Sequence, residues 1–274
     1  MLKRFIPYLI IGLCCSPFLI LIGNLTHVRL PPWSELLWVL MTTLIQATAS
    51  AIGSIILGFI GGLGLMAMTS PRWRQFFIVV AVLPNAVPAL FVILAALNCW
   101  RDFPFGVVGI TFVHILINVG LVAVMTQTLF ETKVGAMADL AYLEGASRWQ
   151  FYRTLLGYLR RDLGFQFLFI FAICFTSFSV PLMVGGHFGR TLEVLIYEKI
   201  RIVGAFSEAL SLALMQTIFI LSLMAFFVSR KGVVMGRYAA TSLLRWWPGL
   251  SVVVGASSVV LYGMMVGLIS GVEQ

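Results

Sequence analysis

DLAYLEGASRWQFYRTLLGY, Asp139–Tyr158, is the longest polar-sided segment of the chain, and the runs on either side of it decide the fold. Before it, Phe103–Phe130 carries no charged side chain, and after it neither does Leu163–Gly189. Further out lie five more uncharged runs: Phe5–Val28, Leu36–Pro71, Gln75–Trp100, Ala209–Ser229 and Trp246–Val272. Each exceeds the roughly 20 residues a helix needs to cross the hydrocarbon core of a bilayer. With 61% hydrophobic and 10% charged residues, the 274-residue chain is far more apolar than the approximately 45–50% of a soluble domain. The pattern predicts an all-α, polytopic membrane helix bundle of about seven spans at 5–26, 36–68, 76–97, 106–128, 163–185, 208–229 and 248–270.

Charge placement orients the bundle. With the N-terminus cytoplasmic and one long helix from Leu36, 13 of the 18 Lys and Arg residues fall on the cytoplasmic side and 5 on the other, as the positive-inside bias requires. The C-terminus is then external. The formal charge of +8 is thereby read as membrane orientation, and no nucleic-acid partner is implied. Lys3 and Arg4 precede an apolar run too long for a signal peptide, so the first span is expected to be retained. Residues 1–35 comprise that span and an external loop, 36–230 a core containing the cytoplasmic loop at about 129–162, and 231–274 a linker with the seventh span.

Inside the spans, Ser50, Ser54, Gly58 and Gly62 recur at intervals of four, a ladder that permits close helix approach. Pro84 and Pro88 predict a bend in the third span. Thr111, His114 and Asn118 share one helix face, on which a histidine is expected to hydrogen-bond a neighbouring helix. Asn85, Asn118 and Ser177 are candidate pore-lining residues. No Asp, Glu, Lys or Arg lies in the middle of a predicted span, which disfavours the alternative of an ion-coupled or facilitative secondary transporter. Cys14, Cys15, Cys99 and Cys174 lack metal-ligand spacing. Without a nucleophile–base pair, paired carboxylates, a metal cluster or a phosphate-binding Gly-x-x-x-x-Gly-Lys-Ser/Thr loop, the chain reads as neither enzyme nor ATPase. No cofactor is expected.

In the opening segment, Ala141, Gly145, Trp149, Tyr152, Leu156 and Leu159 would form one face of a single helix. Glu144 and Arg148 would be spaced as an i,i+4 pair on its other side, beside Arg153. The small residues favour close contact with another protein over lipid. Asp139-Leu140-Ala141 followed by Gly145 resembles the Glu-Ala-Ala and glycine motif in the cytoplasmic loop of permease subunits of binding-protein-dependent ATP-binding-cassette (ABC) importers. Asp139 stands for the usual Glu, Leu140 for the first Ala, and Gly157-Tyr158 for a later Leu-Pro. CFTSFSVPLMVGGHFGRTLEVLIYEKIR, Cys174–Arg201, and Leu83-Pro84 with Pro88 are similar to the thiamine and iron(III) permeases of that family.

The resemblance implies the type I importer, methionine-permease-like fold and a location in the cytoplasmic (inner) membrane. It also implies a cytoplasmic ABC ATPase dimer as partner, an external or periplasmic substrate-binding protein, and a second permease subunit supplied by a copy of this chain or by a companion. Asp139, Ala141, Gly145, Ala146, Ser147 and Arg148 become the ATPase-coupling positions. Thiamine or iron(III) becomes the expected solute.

Overall fold

The computed structural model describes residues 16, 29–228 and 246–272. The predicted first span, 5–26, lies outside the described residues except for Ser16, which is helical, as does the linker at 231–245. The helices are α1, Trp33–Ala67; α2, Pro71–Ala86; α3, Ala89–Cys99; α4, Val107–Leu129; α5, Gly135–Leu143; α6, Arg148–Phe175; α7, Ser179–Val184; α8, Leu192–Glu198; α9, Phe206–Val228; and α10, Leu250–Val272. Single π-helical turns at Phe130–Val134 and Lys199–Val203 link α4 to α5 and follow α8, and a short 3₁₀ turn, Trp247–Gly249, leads into α10. The described residues contain no strand.

α1 is one helix of 35 residues, about 52 Å long at 1.5 Å per residue, so it overshoots a 30 Å core. Its small-residue ladder is wholly buried. A Cβ on Gly58 would stand 2.5 Å from Val122, and one on Gly62 would stand 2.9 Å from the Ala123 carbonyl oxygen, both on α4. On another face of α4, Gly120 admits α2 so closely that a Cβ there would meet the Ala81 carbonyl oxygen at 1.7 Å. α1, α4 and α2 thus pack by close backbone approach, as expected where lipid removes the hydrophobic drive between helices.

The predicted third span is broken. α2 and α3 meet at 96°. Pro88 excludes its predecessor from the helical region, and Val87 accordingly adopts φ −82° and ψ 142°. The predicted seventh span packs into the bundle along α1, α2 and α3. Gly249 lies against α1, where a Cβ would be 2.0 Å from the Ile60 carbonyl oxygen. Farther along α10, Ser257 Oγ donates to the Val80 carbonyl at 2.6 Å, and Gly263 abuts Ala95.

The predicted fifth span, 163–185, requires correction. The helix begins earlier, at Arg148, and ends at Phe175. In its last turn the Thr176 hydroxyl and N–H both donate to the Ala172 carbonyl, at 2.9 and 3.0 Å. Pro181 has no N–H for the Ser177 carbonyl and its ring crowds that carbonyl, which disfavours a straight helix through Ser177. The end lies deep in the bundle, since the Cys174 carbonyl accepts from Gln46 Nε2 at 3.0 Å. Gln46 is eleven residues along α1 from Glu35, about 16 Å below the end of the bundle that carries Glu35.

From that depth α7 returns to the end of the bundle that carries Glu35, where the Gly106 N–H donates to the Val184 carbonyl at 2.9 Å. α8 then starts beside Thr43, whose hydroxyl accepts from the Leu192 N–H at 2.9 Å. The segment expected to be an external loop therefore folds back into the bundle before emerging at Lys199. At its emergence Arg190 pairs with Glu35 and Glu198, and Lys199 pairs with Glu35 and Glu208. The Lys199 ammonium is held above its ordinary range chiefly by the hydrogen bond to Glu208, burial opposing and Glu35 assisting.

Candidate functional site

At the opposite end, the Asp139–Tyr158 segment forms an elbow between α5 and α6. The single amphipathic helix expected from the sequence is interrupted at Glu144–Ser147. Gly145 adopts φ +71°, its N–H donates to the Tyr142 carbonyl at 3.1 Å, and the Ala146 N–H donates to the Ala141 carbonyl at 2.9 Å. This pair of bonds is a Schellman termination, in which glycine is favoured because a side chain is disfavoured at positive φ. Two residues later, Ser147 caps α6: its Oγ accepts from the Gln150 N–H, and the Gln150 side chain accepts from the Ser147 N–H at 3.2 Å.

The expected face from Ala141 to Leu159 is accordingly divided. Trp149 is 77% exposed and Leu156 is also exposed, whereas Phe151, Leu155 and Leu159 turn inward. Glu144 closes α5 and Arg148 opens α6, so the two do not share a helix. Of the six predicted coupling positions, Gly145, Ser147 and Arg148 are exposed, and Asp139, Ala141 and Ala146 are half-buried. Ala141 and Ala146 line a shallow groove with Met137, Gln150, Phe151 and Leu155. Around it Leu140, Tyr142 and Leu143 present exposed apolar surface.

The elbow is mounted on the bundle by a cluster in which Ala138, Phe151, Leu155 and Leu159 pack with Leu63 and Met66 of α1 and Leu129 of α4. Phe59 meets Phe130 edge to face at 5.4 Å. Lys133 pairs with Asp162 at 2.5 Å, and Arg74 with Glu131 at 2.7 Å. Burial raises the Tyr152 hydroxyl above its ordinary range, against the opposing effect of Arg148.

α6 runs unbroken for 28 residues from this elbow to the middle of the bundle, about 42 Å. Its inner end meets a buried polar layer. His114 Nδ1 lies 3.1 Å from Gln46 Oε1 and 3.5 Å from Ser50 Oγ. Since Gln46 Nε2 is donating to Cys174, its Oε1 is the acceptor and His114 Nδ1 carries the hydrogen. Asn118 Nδ2 donates to the His114 carbonyl at 2.9 Å and lies 3.6 Å from Cys174 Sγ. The expected interhelical histidine is therefore found.

Of the three pore-lining candidates, Asn118 lies in mid-helix within this layer, and Asn85 and Ser177 lie at the two helix breaks beside it. Asn85, next to the α2–α3 bend, donates to Asn118 Oδ1 at 3.5 Å, and Ser177 sits in the α6–α7 break three residues beyond Cys174. Sequence reasoning did not assign Gln46 to the site, although an amide in mid-span was a usable signal. It also left out Glu193, which accepts from Gln216 Nε2 at 2.6 Å. Glu193 falls between the predicted spans 163–185 and 208–229, and nothing in the local pattern reveals that α8 folds back.

The described residues thus form an all-α bundle of apolar helices, several long enough to cross a membrane, with two interrupted helices around a buried polar layer and a helical elbow at one end. Comparison with known proteins shows what the chain is similar to. Over 126 residues, 45% of this chain, it is 30% identical to the thiamine transport system permease protein ThiP of Escherichia coli strain K12. The same extent and identity relate it to ThiP of Haemophilus influenzae. With ThiP of Brucella suis it shares 27% identity over 207 residues, 69% of this chain and 38% of the relative. The matched region covers about a quarter of the length of the E. coli relative (24%). No protein-family profile matches the chain. These relatives are all thiamine-type permeases.

Proposed function

We propose that the chain is a transmembrane subunit of an ATP-driven importer in the inner membrane, lining one half of a solute path and working with a second permease half. The observation that carries this reading is α6. One helix joins the exposed elbow to the polar layer at mid-membrane, so a displacement applied at the elbow reaches the α6–α7 break without an intervening hinge. A paired cytoplasmic ATPase would seat on the elbow at Asp139, Ala141 and Gly145–Arg148. Trp149 and Leu143 would supply the apolar contact. An external binding protein would deliver solute at the end carrying Glu35 and Arg190. The names of the relatives favour thiamine over iron(III) as that solute.

In this reading the polar layer switches between packings because its bonds are few and interhelical, each worth on the order of 1 kcal/mol. Asn85, Asn118 and Ser177 line the path where the helices are interrupted, as irregular backbone at membrane depth is tolerated where it borders a cavity. The test is uptake of radiolabelled thiamine by vesicles carrying this chain with the ATPase, binding protein and permease encoded beside it. ATP-dependent uptake that is lost when this chain is omitted supports the proposal. Uptake that persists without ATP, or an ATPase that does not co-purify with the chain, overturns it.

A further inference from the structure

The end of α6, with α8 and α9, forms a groove of about 270 Å³ whose polar lining is Thr176, Glu193, Gln216 and Thr217. It is open to the side, where Thr176 and Leu221 are exposed, but set back from the end of the bundle that carries Glu35. Gln216 is eight residues beyond Glu208 on α9, and Thr43, beside the start of α8, is eight residues beyond Glu35 on α1. Both counts correspond to about 12 Å at the helical rise.

Glu193 is set apart from the other acidic side chains near this end. Every ion pair among the described residues uses a different carboxylate, with Glu35, Glu198 and Glu208 all taken by Arg190 and Lys199. Glu193 is half-buried and is held instead by a neutral amide, Gln216. Gln216 is only 5% exposed, and its Oε1 has no hydrogen-bond partner. Thr176 adds the end of a helix, where the last carbonyls of α6 carry partial negative charge. Broken helices in membrane transporters use such carbonyl ends toward cations. A half-buried carboxylate without a cation keeps part of its charge uncompensated, and the lining of this groove supplies further acceptors and no cation.

We propose that this groove binds the positively charged part of the transported solute, a small organic cation, with Glu193 as its counter-ion and Gln216 fixing the carboxylate. The proposal rests on the import reading above and names the solute class that the chain itself selects. Anionic solutes are turned away by the same charge.

The test uses the chain assembled in membranes with its partners. Thr217→Cys places a reporter thiol in the groove, with Thr176→Cys as a second reporter and the unsubstituted chain as background for the native cysteines. Rates of modification are compared for trimethylammonium-ethyl and sulfonato-ethyl methanethiosulfonate, each scaled to its rate with a free thiol. The cationic reagent is expected to be favoured about tenfold, the Coulomb scale for a partly buried charge several ångströms away. Glu193→Gln should return the ratio to that of the free thiol, and millimolar thiamine should slow the cationic reagent. Absence of a charge preference at both reporters overturns the site even if thiamine uptake is normal. A preference that depends on Glu193, with thiamine neither protecting nor transported, upholds the cation site and removes thiamine as the solute.

Discussion

Gly145 allows two physical explanations of one residue to be separated. A glycine at the tip of an elbow can be required because a partner's surface approaches its backbone, or because the chain turns there at positive φ. A Cβ added at Gly145 meets no atom within 4 Å, so Gly145→Ala introduces no clash within the chain. What it does introduce is an L side chain at φ +71°, disfavoured by about 1–2 kcal/mol. That range reduces the population of the Schellman turn relative to unwound alternatives by a factor of about 5–30. Asparagine tolerates the left-handed region better than alanine and is found at this helix-terminating position, although it is larger.

The two explanations therefore order the variants oppositely. If backbone conformation sets the requirement, ATP-driven uptake should fall in the order Gly145, Gly145→Asn, Gly145→Ala, with unchanged amounts of protein in the membrane. If close approach sets it, Gly145→Asn should be the worst of the three because its side chain is the largest. Uptake in vesicles and ATPase co-purification, both normalised to membrane content, measure the order. Alanine outperforming asparagine would refute the conformational account and return Gly145 to the role expected from the sequence, that of a contact point.

Gly120→Ala should destabilise the bundle by about 1–3 kcal/mol through overpacking, because the new methyl would meet the Ala81 carbonyl oxygen, and a lower melting temperature in detergent would register it. Gly157→Ala should act in the opposite sense, since its Cβ points into open space in mid-helix, and a gain of about 0.5–1 kcal/mol in the same melt is expected. Leu155→Ala should loosen the elbow by about 2–5 kcal/mol, seen as faster tryptic cleavage at Arg148 and Arg153 while the rest of the bundle stays resistant. A cysteine at Gln274 should react with an impermeant reagent applied outside intact cells, and reaction only after permeabilisation would reverse the orientation inferred from the basic residues.

The sequence was most legible where one physical rule acts alone. Uncharged length gives α1, α4, α9 and α10 close to their observed bounds, because a span must satisfy every backbone bond within itself. The ladder from Ser50 to Gly62 is read as readily, since small residues at intervals of four leave one face bare for α4. Legibility falls where two rules compete over a few residues. Hydropathy continues smoothly through Phe175–Val184, but α6 ends midway, where the ring of Pro181 disfavours its continuation. At Glu144–Ser147 a helical period continues through a glycine and a serine that terminate one helix and start another. Glu193 is illegible for a different reason: its depth depends on the Leu192 N–H meeting Thr43, a contact 149 residues apart in sequence.

Those breaks and continuities combine in α6. Its outer end is fixed by the Ser147 capping box, and Pro181 disfavours continuation past its inner end. Between them a proline would have introduced a hinge. The importer motif carries Leu-Pro where this chain has Gly157-Tyr158, and here the helix passes through that position intact. In the proposed importer, movement of α6 would be absorbed at its ends, at the Gly145 turn and at the Thr176–Phe178 break beside Glu193, so that the proposed ATPase contact and the proposed solute site lie at the two ends of one continuous helix.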